Sequence, residues 1–181
     1  KKETHGFSKV GAWQYLEKAY EEGLVKNIGV SNFSVDDLKE ILKEAKYPPQ
    51  VNQIEYNVYL QNQTPGIYDF TKEHGILLEA YSPLAPLYKL SEEEKKTDKL
   101  LPYLAELSKK YNKSSTQLWL RWTIQKGVLP VTTTSNEKRF AEIPAIFDFS
   151  LTDEEVDAIT KIGEGKHLRQ YWKDEYSKYD N

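Results

Sequence analysis

The segment Thr132–Arg139 combines residue types and spacing that suit anion binding. Four hydroxyl residues, Thr132–Ser135, follow a short apolar run, and Lys138 and Arg139 fall in the first turn of the helix expected next. Backbone N–H groups at a helix start, hydroxyls and a guanidinium are all groups that bind phosphate. The same pattern also fits ordinary helix capping beside a solvent-exposed arginine, so the spacing leaves both interpretations open.

Polar residues also end three other apolar runs. Ser31, Asn32 and Gln53 have side chains that can hydrogen-bond an amide or hydroxyl ligand, or can satisfy the backbone of their own loops. Tyr81, which precedes Ser82, has a ring that can form a flat pocket wall or pack in the core.

Two glutamates and three histidines are further residues that could do chemistry. Glu55 and Glu79 lie on neighbouring strand units, which would suit a glycosidase, but Glu55 is expected beyond the end of its strand and Glu79 before the end of its own. His5, His74 and His167 are scattered without metal-ligand spacing, so we predict no metal site. His74 is expected to cap a helix C-terminus.

The elements that must position these residues alternate between helices and short strands. Four strands are predicted, at Ile28–Val30, Gln50–Ile54, Ile76–Ala80 and Val128–Val131, with Glu55 just after the second. Ser34 with Asp37 and Thr152 with Glu155 predict helix starts, and glycines predict helix ends. The predicted ends are Gly23, Gly75, Gly127 and Gly163, and the predicted later helices are Leu100–Tyr111, Ser115–Lys126, Asn136–Ile146 and Thr152–Ile162. Glu92–Lys96 is expected to be a solvated face in a long linker.

Strands separated by helices indicate parallel pairing through right-handed crossovers. No glycine-rich turn links a strand to the following helix, so a Rossmann dinucleotide site is not supported. A (β/α)₈ TIM barrel carries its chemistry on the loops after its strands, where each polar cluster lies. Four strands are half of such a barrel, which would leave two unpaired strand edges.

Composition restricts the classes of partner. The chain has 181 residues and a net charge of −3 with no basic block, so nucleic acid and membrane surfaces are not expected partners. It has no Cys, which excludes disulfides and thiolate chemistry, and no Met. A chain that starts Lys1-Lys2-Glu3 reads as an excerpt of a longer protein. No apolar stretch approaches the ~20 residues that span a bilayer, and we expect a cytoplasmic protein.

Four blocks resemble one family in order and spacing. These are Gly29–Phe33, Val51–Glu55, Ala80–Leu84 and Leu129–Thr132 with Arg139–Glu142, and they resemble the aldo-keto reductases over essentially the whole chain. Leu60–Pro65 and the threonine-rich loop resemble the fungal branch that reduces conjugated polyketones, ketopantoyl lactone and α-keto amides or esters. The resemblance implies that residues 1–181 are the C-terminal half of one (β/α)₈ barrel domain of about four β/α units with extra helices.

The resemblance also implies roles for individual residues. Ser31, Asn32 and Gln53 match positions that hold the nicotinamide carboxamide, and Tyr81 matches the ring stacked on the nicotinamide. Ser82 and Leu84 match contacts to the pyrophosphate, and Glu142 matches a position near the adenine. The loop that binds the 2′-phosphate is matched by Thr133, Thr134, Ser135, Asn136 and Arg139. Relatives often have a Lys-Ser pair after the proline where this chain has Val131 and Thr132, so one cation is missing. Arg139, with Lys138 as a helper, is then expected to recognise NADPH.

The family's Tyr, Lys, Asp and His catalytic groups have no assignable match here, so we predict no catalytic residue in this chain. The expected function is NADPH-dependent reduction of a small-molecule carbonyl substrate to an alcohol, by a protein that is a monomer when intact. Residues 164–181, an aromatic tail with Tyr171 and Trp172, are expected to form a substrate-pocket loop. The alternatives are a cofactor-binding regulatory subunit on the same fold and a barrel glycosidase.

Overall fold

The computed structural model describes Gly6 and residues 8–180, and His5 lies outside this range. Within it the helices are α1 (Lys9–Glu21), α2 (Val35–Leu42), α3 (Ile67–Glu73), α4 (Ala85–Lys89), α5 (Glu92–Thr97), α6 (Leu100–Tyr111), α7 (Ser115–Gln125), α8 (Glu137–Glu142), α9 (Asp153–Glu164) and α10 (Lys173–Tyr176). The strands are β1 (Gly29–Ser31), β2 (Val51–Glu55), β3 (Leu77–Tyr81) and β4 (Val128–Val131). Two 3₁₀ helices cover Ile143–Phe147 and Ser177–Tyr179.

The four strands described form one sheet in the order β1-β2-β3-β4. β1 pairs with β2 in parallel, and Gly29, Val30 and Ser31 face Val51, Asn52 and Gln53 in register. The first three strands begin and end one residue later than the sequence predicted. Glu55 is therefore the last residue of β2, and the expectation that it lies beyond the strand was wrong. The apolar pattern ends before the hydrogen-bonded ladder does, because polar residues also pair through their backbone.

The chain divides into two compact units. The first comprises the described residues up to Ile54 together with Asn62–Leu78, and the second comprises Glu55–Gln61 and the described residues from Glu79 onward. The division passes through β2 and β3.

The first unit is built on a small core under α1 and α2. Trp13, Ile28 and Ile41 are buried together, and Tyr47 packs against them. The Trp13 indole Nε1 donates to the Tyr47 carbonyl oxygen over 3.0 Å, so this large side chain is buried with its polar group satisfied. At the start of α2, Ser34 and Asp37 form the reciprocal capping box that the sequence predicted.

The second unit has a core of aromatic and aliphatic side chains. Trp119 and Trp122 on α7 are both buried, and each packs against a tyrosine from the segment after β2. The Tyr56 and Trp122 rings stack at 5.8 Å, and the Tyr59 and Trp119 rings meet edge to face at 6.0 Å. The other fully buried residues here include Leu100, Leu104, Leu118, Leu120 and Ile159. The segment after β2 therefore packs onto α7.

Two helix predictions in the second unit were wrong. The segment after β3, predicted to be a linker, forms α4 and α5. The predicted solvated face is present, because α5 has no buried residue and carries the exposed ion pairs Glu92–Lys95 and Glu93–Lys96. The helix predicted over Asn136–Ile146 is α8 followed by a 3₁₀ helix with Pro144 in its first turn. Proline has no N–H to donate to an α-helical ladder, so the tighter helix takes over there.

Gly163 is also placed differently from the prediction. It does not end α9, which continues through Glu164 and is capped by Gly165. The predicted start of this helix is confirmed, because Thr152 and Glu155 form a capping box.

A buried carboxylate ties the C-terminal segment to α6. Asp98 accepts hydrogen bonds from Tyr59 Oη at 2.7 Å, from Lys166 Nζ at 3.1 Å and from the backbone N–H groups of Leu100 and Leu101 at 3.0 Å. Burial alone would raise the pKa of Asp98, but these donors outweigh it and hold the pKa below the usual 3.8. Burial, aided by the bond to Asp98, raises the pKa of Tyr59 far above its usual value, so its hydroxyl stays protonated as a donor.

We expect Asp98→Asn to lower the free energy of unfolding by about 2–3 kcal/mol at pH 7, because the bonds from Tyr59 and Lys166 lose their charged acceptor. A lowered pKa contributes stability that is present above pH 3.8 and disappears as the pH falls through the folded-state pKa. The difference between wild type and variant should therefore shrink below about pH 3.8. Urea unfolding at pH 7 and pH 3 measures this, and an equal difference at both pH values would contradict it.

Candidate functional site

In the first unit, the three residues predicted to bind a carboxamide lie in one corner. The Ser31 hydroxyl donates to the Gln53 carbonyl oxygen over 2.9 Å, and Asn32 Nδ2 donates to Ser31 Oγ over 3.0 Å. The Asn32 backbone N–H also donates to the Gln53 carbonyl at 2.9 Å. Asn32 has a left-handed backbone with φ of 56°, a conformation that asparagine tolerates and that often occurs at functional sites.

Gln63 joins this corner without having been predicted. It is fully buried, and its Nε2 donates to Asn32 Oδ1 over 2.9 Å. This bond and the one from Asn32 Nδ2 to Ser31 Oγ together fix which way the Asn32 amide faces. It lies in Leu60–Pro65, the segment that resembles the fungal branch, but no periodic pattern marks it as a binding residue.

In the second unit, a cavity of about 280 Å³ brings together residues from five segments, which lie within 82–89, 116–120, 131–134, 139–143 and 170–171. Five predicted binding residues line it, namely Ser82, Leu84, Thr133, Thr134 and Arg139. The lining also includes Thr132, which was part of the predicted hydroxyl cluster, and Tyr88, Lys89, Thr116, Gln170 and Tyr171. Four predicted residues of this unit, Tyr81, Ser135, Asn136 and Glu142, are not among the residues that line this cavity.

Asn136 and Glu142 have structural contacts. Asn136 is the N-cap of α8, where its Oδ1 accepts from the Arg139 backbone N–H over 3.1 Å, and Thr134 Oγ1 accepts from the Asn136 N–H over 3.1 Å. The Glu142 carbonyl accepts from Gln117 Nε2 over 2.9 Å. The capping interpretation is therefore right for Asn136, while Arg139 still contributes its side chain to the cavity.

The charge of the cavity lining favours an anion. Lys89 and Arg139 are the charged residues among the described residues that line it, and both are cations. The Arg139 guanidinium lies 5.5 Å from the centre of the Tyr88 ring, a cation–π distance that holds an exposed arginine in place. The sequence has no cation directly after Pro130, and Lys89 at the end of α4 supplies a second cation beside Arg139.

At the end of β3, Ser82 lines the cavity and Tyr81 before it does not. The Tyr81 ring meets the Tyr171 ring edge to face at 5.8 Å, so Tyr81 is half-buried at the surface of the unit. Ser82, which lines the cavity, has a left-handed φ of 54°. Asn32 and Ser82 thus share a conformation, each at the residue that follows a strand.

Glu55, His74 and His167 have contacts that explain them without catalysis. Both oxygens of the buried Glu55 carboxylate accept backbone N–H groups, from Gln170 and Tyr171, at 2.8 and 3.0 Å. His74 is the C-cap of α3 as predicted, with Nδ1 2.8 Å from the Phe70 carbonyl oxygen. His167 lies 2.8 Å from Asp180. In the described part of the chain, no group of three or more His, Asp or Glu is arranged to hold a metal ion.

The model of the Aldo/keto reductase family matches residues 9–164. The chain belongs to this family. It is 52% identical over 180 residues to a Saccharomyces cerevisiae protein named NADPH-dependent alpha-keto amide reductase, covering 99% of this chain and 57% of that one. It is 38% identical over 156 residues to Bacillus subtilis glyoxal reductase, covering 86% and 52%. Both matches agree with the resemblance seen in the sequence.

Solved structures place this aldo/keto reductase chain in the same fold. An aldo-keto reductase crystallised with NADPH superposes with a TM-score of 0.77 at 28% identity, covering 97% of this chain and 54% of that one. An aldo/keto reductase from Brucella melitensis gives a TM-score of 0.72 at 36% identity, covering 86% and 57%. The chain spans about half the length of these relatives, so it has the fold of part of an aldo-keto reductase barrel, as predicted. In the described range no helix has the length and apolar character needed to span a membrane.

Proposed function

We propose that the protein containing this chain reduces carbonyl compounds to alcohols with NADPH. The observation that carries the proposal is the cavity of the second unit, in which Lys89, Arg139 and the hydroxyls of Thr132–Thr134 meet without a carboxylate. Cations and hydroxyls that converge in one cavity suit the phosphates of a dinucleotide. The matches to NADPH-dependent relatives support the same cofactor.

Within this proposal each group of residues has a binding or orienting role. Arg139, Thr133 and Thr134 hold the 2′-phosphate, and Ser82 and Leu84 contact the pyrophosphate. Tyr81 stacks on the nicotinamide ring, and Ser31, Asn32 and Gln53 hold its carboxamide. NADPH supplies the hydride when it is bound. We assign Ser135, Asn136 and Glu142 to the support and outer edge of this site, because Asn136 already caps α8.

The substrate we propose is an activated carbonyl, such as a conjugated polyketone, ketopantoyl lactone or an α-keto ester or amide. The 52% identity to an alpha-keto amide reductase supports this class. We also propose that the tail over residues 164–181 borders the substrate, since Tyr171 lines the cavity and Trp172 beside it is 45% exposed. An exposed tryptophan provides apolar surface for a conjugated substrate.

The test uses the full-length protein with two readouts. NADPH should quench its tryptophan fluorescence, and an α-keto amide should be reduced with matching loss of NADPH absorbance. Quenching without turnover of any carbonyl would favour the regulatory-subunit alternative. Quenching by an oligosaccharide and none by NADPH would contradict the proposal and favour a glycosidase.

A further inference from the structure

Glu55 is a buried carboxylate that the proposed function does not use. As the last residue of β2 it is fully buried, and its two oxygens accept from consecutive backbone N–H groups, Gln170 at 2.8 Å and Tyr171 at 3.0 Å. Burial raises the pKa of Glu55, while these two N–H groups and the charge of Arg169 oppose that rise. Burying a carboxylate costs free energy unless hydrogen bonds compensate it. Here the two tail N–H groups provide that compensation, so the carboxylate fixes the tail in place.

The two residues that Glu55 holds are the tail residues that line the cavity. Gln170 and Tyr171 both belong to its wall, together with Lys89 and Arg139. The Tyr171 ring also meets the Tyr81 ring. The position of this part of the wall therefore depends on one carboxylate that lies outside the cavity lining.

Gln170 carries a donor that has no acceptor. Its Nε2 is buried and makes no hydrogen bond with the described residues. A buried amide donor without a partner costs free energy. The terminal torsion of a glutamine side chain rotates at little cost, so the amide can turn toward an acceptor. A phosphate oxygen in the adjoining cavity would supply the missing acceptor.

We propose that Glu55 is a positioning residue for the cofactor cavity, and that it holds Gln170 where its amide donates a hydrogen bond to a phosphate of the dinucleotide. This proposal rests on the NADPH function proposed above. It adds a cofactor contact from the tail and gives a role to a carboxylate that the sequence suggested only for glycosidase chemistry.

The test measures the NADPH Kd of the full-length protein for Glu55→Gln, Gln170→Leu and the double variant. Glu55→Gln keeps the size of the side chain but presents an amide group to one backbone N–H, so the tail loses one acceptor. We expect each single variant to raise the Kd about tenfold, since one hydrogen bond to a charged group is lost in each case. The double variant should show much less than the product of the two effects, because Glu55 acts through Gln170.

The chain offers a matched control in Glu155, another buried carboxylate of the second unit. It accepts from the Thr152 backbone N–H at 2.9 Å, and from Lys110 at 2.8 Å and Tyr111 at 2.6 Å, and none of these residues lines the cavity. Glu155→Gln should therefore lower stability yet leave the NADPH Kd within about twofold of wild type. A purely structural role for Glu55 would make the two variants behave alike.

An unchanged Kd in Gln170→Leu, with wild type binding NADPH normally, would overturn this inference and leave the proposed function standing. Gln170→Leu alters no buried carboxylate, so it serves as the test even if Glu55→Gln fails to fold. Equal Kd values for Glu55→Gln and Glu155→Gln, or fully multiplicative effects in the double variant, would also overturn it. Absence of NADPH binding by wild type would overturn both proposals.

Discussion

Arg139→Ala is expected to weaken NADPH binding at least about tenfold and to leave NADH binding nearly unchanged. The side chain of Arg139 is exposed, lines the cation-bearing cavity and lies over Tyr88. A guanidinium that forms charge-assisted bonds with the 2′-phosphate has no equivalent partner in NADH, which lacks that group. The measurement is the Kd of each cofactor, from fluorescence titration of the full-length protein.

Lys138 supplies the control for this prediction. It precedes Arg139 in α8 and carries the same charge, but it is not among the residues that line the cavity. Lys138→Ala should therefore change the Kd for either cofactor by less than about threefold, as expected for a screened surface charge. Equal losses of NADPH and NADH affinity in Arg139→Ala would contradict the 2′-phosphate assignment.

Gly163→Ala is expected to lower the free energy of unfolding by about 3 kcal/mol, with a fall in Tm of roughly 6–12 °C. A Cβ at Gly163 would lie far inside the van der Waals distance of the Val58 carbonyl oxygen and Cγ1, and 3.1 Å from Gln61 Nε2. Alanine favours a helix by about 1 kcal/mol over glycine, so a loss of stability isolates the steric conflict. Chemical and thermal unfolding measure it.

Gly165→Ala is the matched control, two residues further along. A Cβ at Gly165 would have the Ile162 carbonyl oxygen as its nearest contact, at 3.4 Å, and its φ of −75° suits any residue. We expect a change within about 0.5 kcal/mol for this variant. Similar losses for the two glycines would show that helix termination matters more than the approach of Val58.

Sequence patterns predicted the features that depend on neighbouring residues. The capping boxes of Ser34 and Thr152 are present, because each cap is satisfied by a residue three positions later. Gly23, Gly75 and Gly127 follow helices with positive φ, as expected of residues that leave a helix in the left-handed conformation. The family and the fold, which four ordered sequence blocks predicted, are confirmed by the family match and by the solved structures.

Features that depend on distant residues were harder to predict. The Asp98 carboxylate is held by Tyr59 and Lys166, which lie far from it in the chain. A glycine is typical of a helix end, but Gly163 lies within α9 at a point where the helix packs too closely against Val58 for a Cβ atom. In each case the deciding contact joins residues far apart in the chain, which no periodicity within a segment reveals.

For this protein the sequence alone determined the family, the alternation of strands and helices, and the residue types placed at the strand ends. Only the tertiary structure decided which of them share a cavity: Arg139, Thr133 and Ser82 do, whereas Asn136 caps a helix. It also added Lys89 and Gln170, and it changed Glu55 from a possible catalytic acid into an anchor for the tail. The physical reason is that a side chain's role depends on the partners that satisfy its charge and hydrogen bonds, and here those partners come from other elements.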